Sequence, residues 1–232
     1  MTTRRSHRPP KRGKSQQRAE ATKRAVLETA LHEFAQFGLE GARVDRIAAR
    51  AKVNKQALYY YFGNKEGLFS ATLAAVYDRA PPVPAEPDMS AARAAAPAAA
   101  MRALIATLFD HYREAEEGSS VIAHENRYHG RHLTPAVRGR IRSAVSPLIA
   151  VVESALARGQ ESGVFSRGVR AADLYLTIVA LSHFYFTHAY TLSAILGGDL
   201  LAPRAVAAWK RHVGDFVIAA LQPAVRQKKS TK

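Results

Sequence analysis

Residues 46–69 have the sequence RIAARAKVNKQALYYYFGNKEGLF. The stretch begins with the apolar period of a short helix, passes a short turn, and continues with Lys55, Gln56 and three consecutive tyrosines. Asn54 directly precedes these residues and is a favourable N-cap for a second helix. Two short helices joined by such a turn predict a helix-turn-helix, whose second helix fits the major groove of DNA.

The first turn of this second helix carries side chains suited to reading base edges. Lys55 can donate to guanine, Gln56 can bridge adenine, and the methyl group of Ala57 can contact that of thymine. Tyr59 and Tyr60 lie further along the helix, where their hydroxyls can reach phosphate oxygens. The pattern therefore predicts base contacts first and backbone contacts behind them.

The tyrosine run is expected to be divided between a small core and the DNA. Adjacent helical residues point about 100° apart, so Leu58 and Phe62 are predicted to face the core, with Tyr61 beside them. The alternative is that all three tyrosines pack into one core. Lys65 begins the next helix, where its amine and the free backbone N–H groups are expected to face the same phosphates.

The charge balance favours an anionic partner, with nucleic acid ahead of an anionic membrane. The 232 residues, enough for a substantial core, include 34 Lys and Arg against 19 Asp and Glu, a net charge of +15. Residues 1–24 alone hold nine cations and one acid. The basic arm 1–16 cannot fold alone, and we expect it to lie along the DNA backbone or to enter a narrow minor groove.

Several classes of protein are disfavoured. The chain has no cysteine, which excludes disulfides and thiolate metal sites and fits a cytoplasmic location. No apolar run follows the basic N-terminus, so a secretory signal is not expected. Residues 174–198 lack Asp, Glu, Lys and Arg and could span a bilayer. Histidines and tyrosines interrupt them, so we interpret the segment as a core or interface helix and expect no membrane partner.

Helical periodicity predominates, and strand-type alternation is absent, so the sequence predicts an all-α protein of about nine helices. The first is expected over 17–37 with Gly38 as its stop, and later ones over 135–161, 171–196 and 203–222. Four prolines in 80–90 mark the clearest boundary. The predicted organisation is a basic arm (1–16), a helix-turn-helix domain (17–64), a linker helix with a proline-rich loop (65–88), a ligand-binding and dimerisation domain (89–224) and a basic tail (225–232).

Three segments, EFAQFGLE, RIAARAKVN and ALYYYFGNKEGLF, lie within residues 28–73. Together they resemble the DNA-binding domain of the TetR/AcrR family of transcriptional regulators. The resemblance implies an all-α protein whose first three helices bind DNA, whose fourth helix is a linker, and whose divergent body binds a small ligand and dimerises. It further implies a repressor that releases its operator when the ligand binds.

The chain departs from the family pattern at three positions. Lys52 replaces the usual glycine of the turn, Asn54 replaces a capping serine, and Arg43 replaces a Ser or Thr that opens the second helix, where it could hold a phosphate. The DNA-contacting residues that the motif and the resemblance imply are Arg43, Val44, Lys52, Asn54, Lys55, Gln56, Ala57, Tyr59, Tyr60 and Lys65.

The body carries weaker signals. Residues 167–200 and the segment HEN at 124–126 resemble a subgroup of pyrimidine-responsive regulators, which implies a dimer built by the last two helices. An apolar stripe on the last helix is interpreted as completing a core only with a partner molecule, and so agrees with a homodimer. It consists of Val206, Val213, Phe216, Val217, Ala220 and Leu221. The sequence alone does not identify the effector or the operator.

The histidines of the body are interpreted as polar groups in an apolar pocket rather than as metal ligands. His183 and His188 are five residues apart, which separates them on a helix, whereas paired ligands favour i, i+4. Core histidines bonded to backbone carbonyls are an equal alternative. No metal or cofactor is expected. The ligand-binding candidates are His124, Asn126, Tyr128, His183, Tyr185 and His188.

The sequence therefore predicts a dimeric repressor that binds a pseudo-palindromic, double-stranded operator and is released by a small organic effector. One alternative is a DNA-coating or architectural protein without effector control, which would show weak sequence preference. Another is a helical enzyme with an accessory DNA-binding head. That alternative needs a reactive constellation in the body, and the sequence shows no phosphate loop, nucleophile elbow or carboxylate pair.

Overall fold

The computed structural model describes residues 12–79 and 96–223, and within these ranges the chain forms ten helices and no strand. This confirms the all-α prediction. The helices are α1 (Arg12–Gly41), α2 (Val44–Arg50), α3 (Lys55–Phe62), α4 (Lys65–Tyr77), α5 (Pro97–Glu114), α6 (Glu116–Arg127), α7 (Pro135–Glu161), α8 (Ala171–Thr187), α9 (Ala189–Leu196) and α10 (Pro203–Leu221).

Helices α1 to α4 form a small head around one apolar core. Val26, Ala30 and Phe34 recur at four-residue spacing on α1 and are fully buried, as one face of an amphipathic helix requires. Phe34 meets Phe69 of α4 edge to face, with 5.1 Å between the ring centroids. The predicted stop at Gly38 is confirmed, because its φ of 65° interrupts the helical geometry before a last turn.

The larger body packs α5, α7, α8 and α10 around a second core. The structure places the bounds of α7 at Pro135–Glu161, as the sequence predicts. The prediction of one helix over 171–196 is wrong, because the chain leaves helical geometry at His188 (φ −118°, ψ 10°) and forms two helices, α8 and α9. This break raises the count from nine to ten.

The apolar stripe of the last helix serves a different purpose from the one expected. Val206, Val213, Val217 and Leu221 are buried inside the chain itself, where Val213 and Val217 pack in the same core as residues of α5, α7 and α8. The inference that the whole stripe awaits a partner is therefore wrong, although Phe216 and Ala220 of the same stripe are exposed. An amphipathic pattern predicts that a face is buried but does not say against which surface.

Three predicted segments lie wholly or mainly outside the described residues: the basic arm up to residue 11, the proline-rich loop from residue 80, and the basic tail 225–232. Residues 12–16 belong to the start of α1, five residues before the predicted start. Over the ranges that the structure covers, no helix combines the length and apolarity needed to cross a bilayer. The cytoplasmic location stays a prediction.

Candidate nucleic-acid interface and ligand cavity

Helix α3 presents its two faces as the sequence predicts. The Oδ1 atom of Asn54 accepts a hydrogen bond from the Ala57 backbone N–H at 2.6 Å, which caps the helix. Leu58 is fully buried in the head. Tyr59 and Tyr60 point outward, with 39% and 83% of their surface exposed. The tyrosine run therefore straddles the edge of the core and leaves two phenols free for a partner.

Lys55, at the start of α3, is held by a carboxylate of the preceding helix. Its Nζ atom lies 2.8 Å from Oδ1 of Asp45 and 6.0 Å from the centre of the Tyr59 ring. The hydrogen bond to Asp45 raises the pKa of the Lys55 ammonium, so this side chain stays cationic. A base contact by Lys55 requires that the pair with Asp45 be broken or shared.

Replacing Asp45 by asparagine is expected to tighten DNA binding. The change frees Lys55 and removes a negative charge from the candidate interface. Because the pair is exposed, we expect the affinity to rise by only roughly threefold. Fluorescence anisotropy with labelled duplex at fixed salt measures it. Glu153→Gln removes the same charge from an exposed position on α7 and should leave the affinity unchanged. Equal effects of the two variants would assign the gain to net charge alone.

The turn between α2 and α3 explains why the family pattern has a glycine where this chain has Lys52. The φ angle of Lys52 is +56°, a left-handed conformation that costs a residue with a Cβ atom energy and costs glycine little. Lys52 is exposed, so its side chain places a positive charge beside α3, and the strained backbone is the cost of this charge. The substitution thus exchanges stability for charge at the candidate interface.

We expect Lys52→Gly to stabilise the protein by about 0.5–1 kcal/mol. Relief of the left-handed strain contributes about 1–2 kcal/mol, and the greater chain entropy of glycine in the unfolded state offsets about 0.5–1 kcal/mol of it. Urea unfolding followed by circular dichroism measures the difference. Lys52→Ala removes the same side chain but keeps the strain, so its stability should match that of the parent. If the Ala variant had the same free energy of unfolding as the Gly variant, this explanation would be contradicted.

The remaining candidate DNA contacts lie at helix N-termini, and one of them needs correction. Arg43 is exposed and precedes α2, and its backbone N–H donates to Oε1 of Glu33 at 2.9 Å. Val44 is only 8% exposed and packs in the head core, so its side chain cannot read DNA and only its backbone N–H remains available. The Nζ atom of Lys65 donates to the Glu40 carbonyl at 3.0 Å.

A cavity of about 470 Å³ lies between the head and the body. Its walls come from α1 and α4 on one side and from α5 to α8 on the other. This volume falls within the range of roughly 300–1,000 Å³ that small-molecule sites occupy. The polar lining of its interior consists of Tyr77, His111, Tyr112, Ser119 and Tyr175.

Burial sets the charge state of this lining. It raises the pKa of Tyr77, Tyr112 and Tyr175, and Tyr112 also shares a hydrogen bond with Tyr175. Burial lowers the pKa of His111 below its ordinary value of 6.5. All four groups are consequently neutral at pH 7, and they present hydroxyl and imidazole groups to whatever enters.

Three of the predicted ligand-binding residues lie in the body but do not line this cavity. The ring of His183 lies 5.2 Å from that of Tyr112 and so stands directly behind the wall. The hydroxyl of Tyr185 donates to the Leu200 carbonyl at 2.5 Å. His188 is exposed and stacks on Phe184, with 4.2 Å between centroids.

The other three candidates lie on or next to α6 and are also outside the cavity lining. His124 packs against the α1 backbone, where a Cβ atom added to Gly38 would come within 3.0 Å of its ring. Asn126 is exposed, with its amide donating to a carbonyl of its own helix. Tyr128 meets His132 edge to face at 5.5 Å. The structure does not bring the six together, and their ligand role stays a prediction.

The polar cavity residues that sequence reasoning missed come from four separate helices, α4, α5, α6 and α8. One signal was present on α5, where His111 and Tyr112 extend the buried stripe of Leu104 and Leu108 by one helical turn. Polar aromatic residues on an otherwise apolar buried face are candidates for a ligand site. Tyr77 and Tyr175 carried no comparable local pattern, because only the tertiary fold brings them together.

The histidines give no metal centre in the part of the chain that the structure describes, where no group of three or more potential ligands comes together. His132 is buried and its Nδ1 lies 2.7 Å from Oε2 of Glu125. A second Glu125 oxygen accepts from the His132 backbone N–H at 2.7 Å. This pair is an internal clasp that joins the end of α6 to the turn before α7.

Comparison with known proteins agrees with this arrangement. The family described as bacterial regulatory proteins, tetR family, matches residues 26–72, and the tetracyclin repressor-like C-terminal domain matches residues 97–217. The chain is 30% identical over 212 residues to the transcriptional repressor NicS of Pseudomonas putida, covering 91% of this chain and 98% of that one. It is 32% identical over 180 residues to the repressor SCO4008 of Streptomyces coelicolor, covering 77% and 85%.

The fold also has solved counterparts. The crystal structure of HlyIIR, a hemolysin II transcriptional regulator, superposes with a TM-score of 0.57 at 20% identity, covering 88% of this chain and 99% of that one. Both halves of this chain thus have family matches, and full-length similarity extends across the head, the cavity and the last helices. The chain therefore belongs to the TetR family of bacterial transcriptional regulators, which are DNA-binding proteins and not enzymes.

Proposed function

We propose that this protein is a homodimeric repressor that binds a pseudo-palindromic operator through α3 and leaves it when a small organic molecule enters the cavity. The observation that carries the proposal is the position of the cavity. Leu31 of α1 and Val76 and Tyr77 of α4 belong to its wall, and both helices are part of the DNA-binding head. A ligand that moves this wall moves the head.

The contacts between α6 and the head support such coupling. The Ser120 hydroxyl donates to the Ala35 carbonyl of α1 at 2.8 Å. Next to the cavity, α6 approaches α4 so closely that a Cβ atom on Gly118 would lie 2.9 Å from Val76. With no space between these helices, displacement of α6 by a ligand must shift α1 and α4, which changes the spacing of two recognition helices in a dimer.

Exposed apolar side chains on the last three helices support dimerisation there. Leu176 and Phe184 on α8, Tyr190 on α9 and Phe216 on α10 each expose more than half of their surface. Large apolar side chains exposed on successive helices favour an interaction site there. We therefore assign the homodimer to α8 and α10, with α9 beside them, although most residues of the apolar stripe first used to predict it face inward.

Selection of bound fragments from random duplex DNA at physiological salt tests the proposal. Enrichment of a pseudo-palindrome is expected, and enrichment of no sequence would favour the DNA-coating alternative. Gln56→Ala is expected to relax preference at one base position per half-site, since the lost bidentate contact discriminates by about 1–3 kcal/mol. Tyr60→Phe is the matched control, because loss of a phosphate contact should weaken binding to all sequences alike.

A further inference from the structure

The interior of the cavity holds no ionised side chain among the described residues that line it. Its polar groups are the three phenols, His111 and Ser119, and the rest of the interior is apolar, including Leu108 and Leu148. An ion that enters would lose its hydration and find no opposite charge in the interior, which is strongly unfavourable. The interior therefore selects against both carboxylates and ammonium groups.

The charged lining residues all stand at the mouth. Arg79, Glu114, Glu116 and Glu117 are exposed. Glu117 is engaged by His32 of α1, whose Nδ1 lies 2.7 Å from its Oε1. At the mouth carboxylates outnumber the single guanidinium by three to one, which adds a further barrier to anions.

The phenols define what the interior does accept. Tyr77, Tyr112 and Tyr175 offer hydroxyl groups that donate and accept, and their rings offer faces and edges for packing against another aromatic ring. The apolar side chains around them exclude water from this contact. A flat ring system that carries one or more polar oxygens can pack against the tyrosine rings and form hydrogen bonds with their hydroxyls at once.

We infer that the effector is an uncharged aromatic compound carrying a hydrogen-bonding oxygen, held by the three tyrosines between α4, α5 and α8. The inference rests on the proposed function, in which this cavity is the effector site. It names a chemical class that includes phenols and aromatic ketones and leaves out aromatic acids and amines that are charged at pH 7.

Three ring-matched probes test the inference by isothermal titration calorimetry on the full-length protein at pH 7, without DNA. We expect 2-naphthol, which is neutral, to bind at least roughly tenfold more tightly than 2-naphthoate or 2-naphthylmethylammonium, because each ion must be desolvated without a buried counter-charge. Equal or tighter binding of either ion, or no binding of 2-naphthol, would overturn the inference.

Two variants test the role of the phenols. In the double variant Tyr112→Phe, Tyr175→Phe, the affinity for 2-naphthol should fall by roughly fivefold or more through loss of hydrogen bonds, while the affinity for naphthalene should not change. Thr107→Val, which removes an exposed hydroxyl on α5 outside the cavity lining, should change neither affinity. Equal loss for both probes would point to distortion of the cavity and would overturn the assignment of the hydroxyls.

The operator selection separates failure of this inference from failure of the proposed function. If the protein enriches a palindrome but binds no 2-naphthol, the proposed repressor function is retained and the proposed ligand class is overturned. Binding of 2-naphthol by a protein that enriches no sequence would support the cavity chemistry and reject the regulatory role. Release of the selected operator by 2-naphthol would support both.

Discussion

The double substitution Phe184→Asp, Phe216→Asp is expected to convert the protein to monomers and to lower its affinity for the selected operator by about 100-fold or more. Each side chain is 52% exposed, so the aspartates are tolerated in the folded monomer but place like charges across a two-fold interface. A monomer binds one half-site and loses the gain of two linked contacts, which is worth about 10²–10⁴ in affinity.

Light scattering after size-exclusion chromatography measures the mass, which should fall to that of one 25.3 kDa chain. Fluorescence anisotropy measures the affinity for the selected operator. Val164→Asp is the matched control, since Val164 is an exposed apolar residue in the turn after α7. It should leave both mass and affinity unchanged. A double variant that remains dimeric and binds normally would refute the assignment of this surface.

Glu33→Ala is expected to cost about 2–3 kcal/mol of stability. The Glu33 side chain is 1% exposed, and its Oε1 accepts from Arg46 at 2.7 Å as well as from the Arg43 backbone N–H. Breaking a buried ion pair costs about 3–5 kcal/mol, and we lower this figure because Arg46 is 40% exposed. Since the pair joins α1 to the start of α2, its loss should loosen the helix-turn-helix. Thermal and urea unfolding measure the change.

The same carboxylate predicts a dependence on pH. Burial alone would raise the pKa of Glu33, but the hydrogen bonds from Arg46 and from the Arg43 backbone outweigh it and hold the pKa below 4.5. The stabilisation is therefore complete above the unfolded-state pKa and is lost as pH falls through the lower folded-state value. Glu33→Gln keeps the shape without this titration, so its stability should fall less steeply below about pH 4.5. Identical acid limbs would contradict this role.

Local sequence determined most of the head. The cap at Asn54, the stop at Gly38 and the division of the tyrosine run follow from interactions within a few residues and from the helical period, which a sequence displays directly. The same locality explains why the DNA-binding motif was recognisable from 46 residues. Val44 was misjudged because a position at a helix N-terminus does not reveal whether its side chain faces DNA or the core.

Tertiary structure decided the body. The helical period of α10 predicted a buried face, but only packing showed that Val213 and Val217 face their own chain while Phe216 faces outward. The break at His188 has no glycine or proline to mark it, and the hydrogen bond from Tyr185 to Leu200 across it joins residues fifteen positions apart.

The cavity shows most clearly which features depend on tertiary packing and not on local sequence. Tyr77, Tyr112 and Tyr175 stand on three helices, nearly a hundred residues apart from first to last, and no period or spacing links them. Their shared burial and neutral charge arise only when α4, α5 and α8 pack around one space. The sequence by itself therefore determined that the chain is a helical DNA-binding regulator, because that information is local. The cavity proposed as its effector site was decided by the packing of distant helices, because a cavity is a property of the space between them.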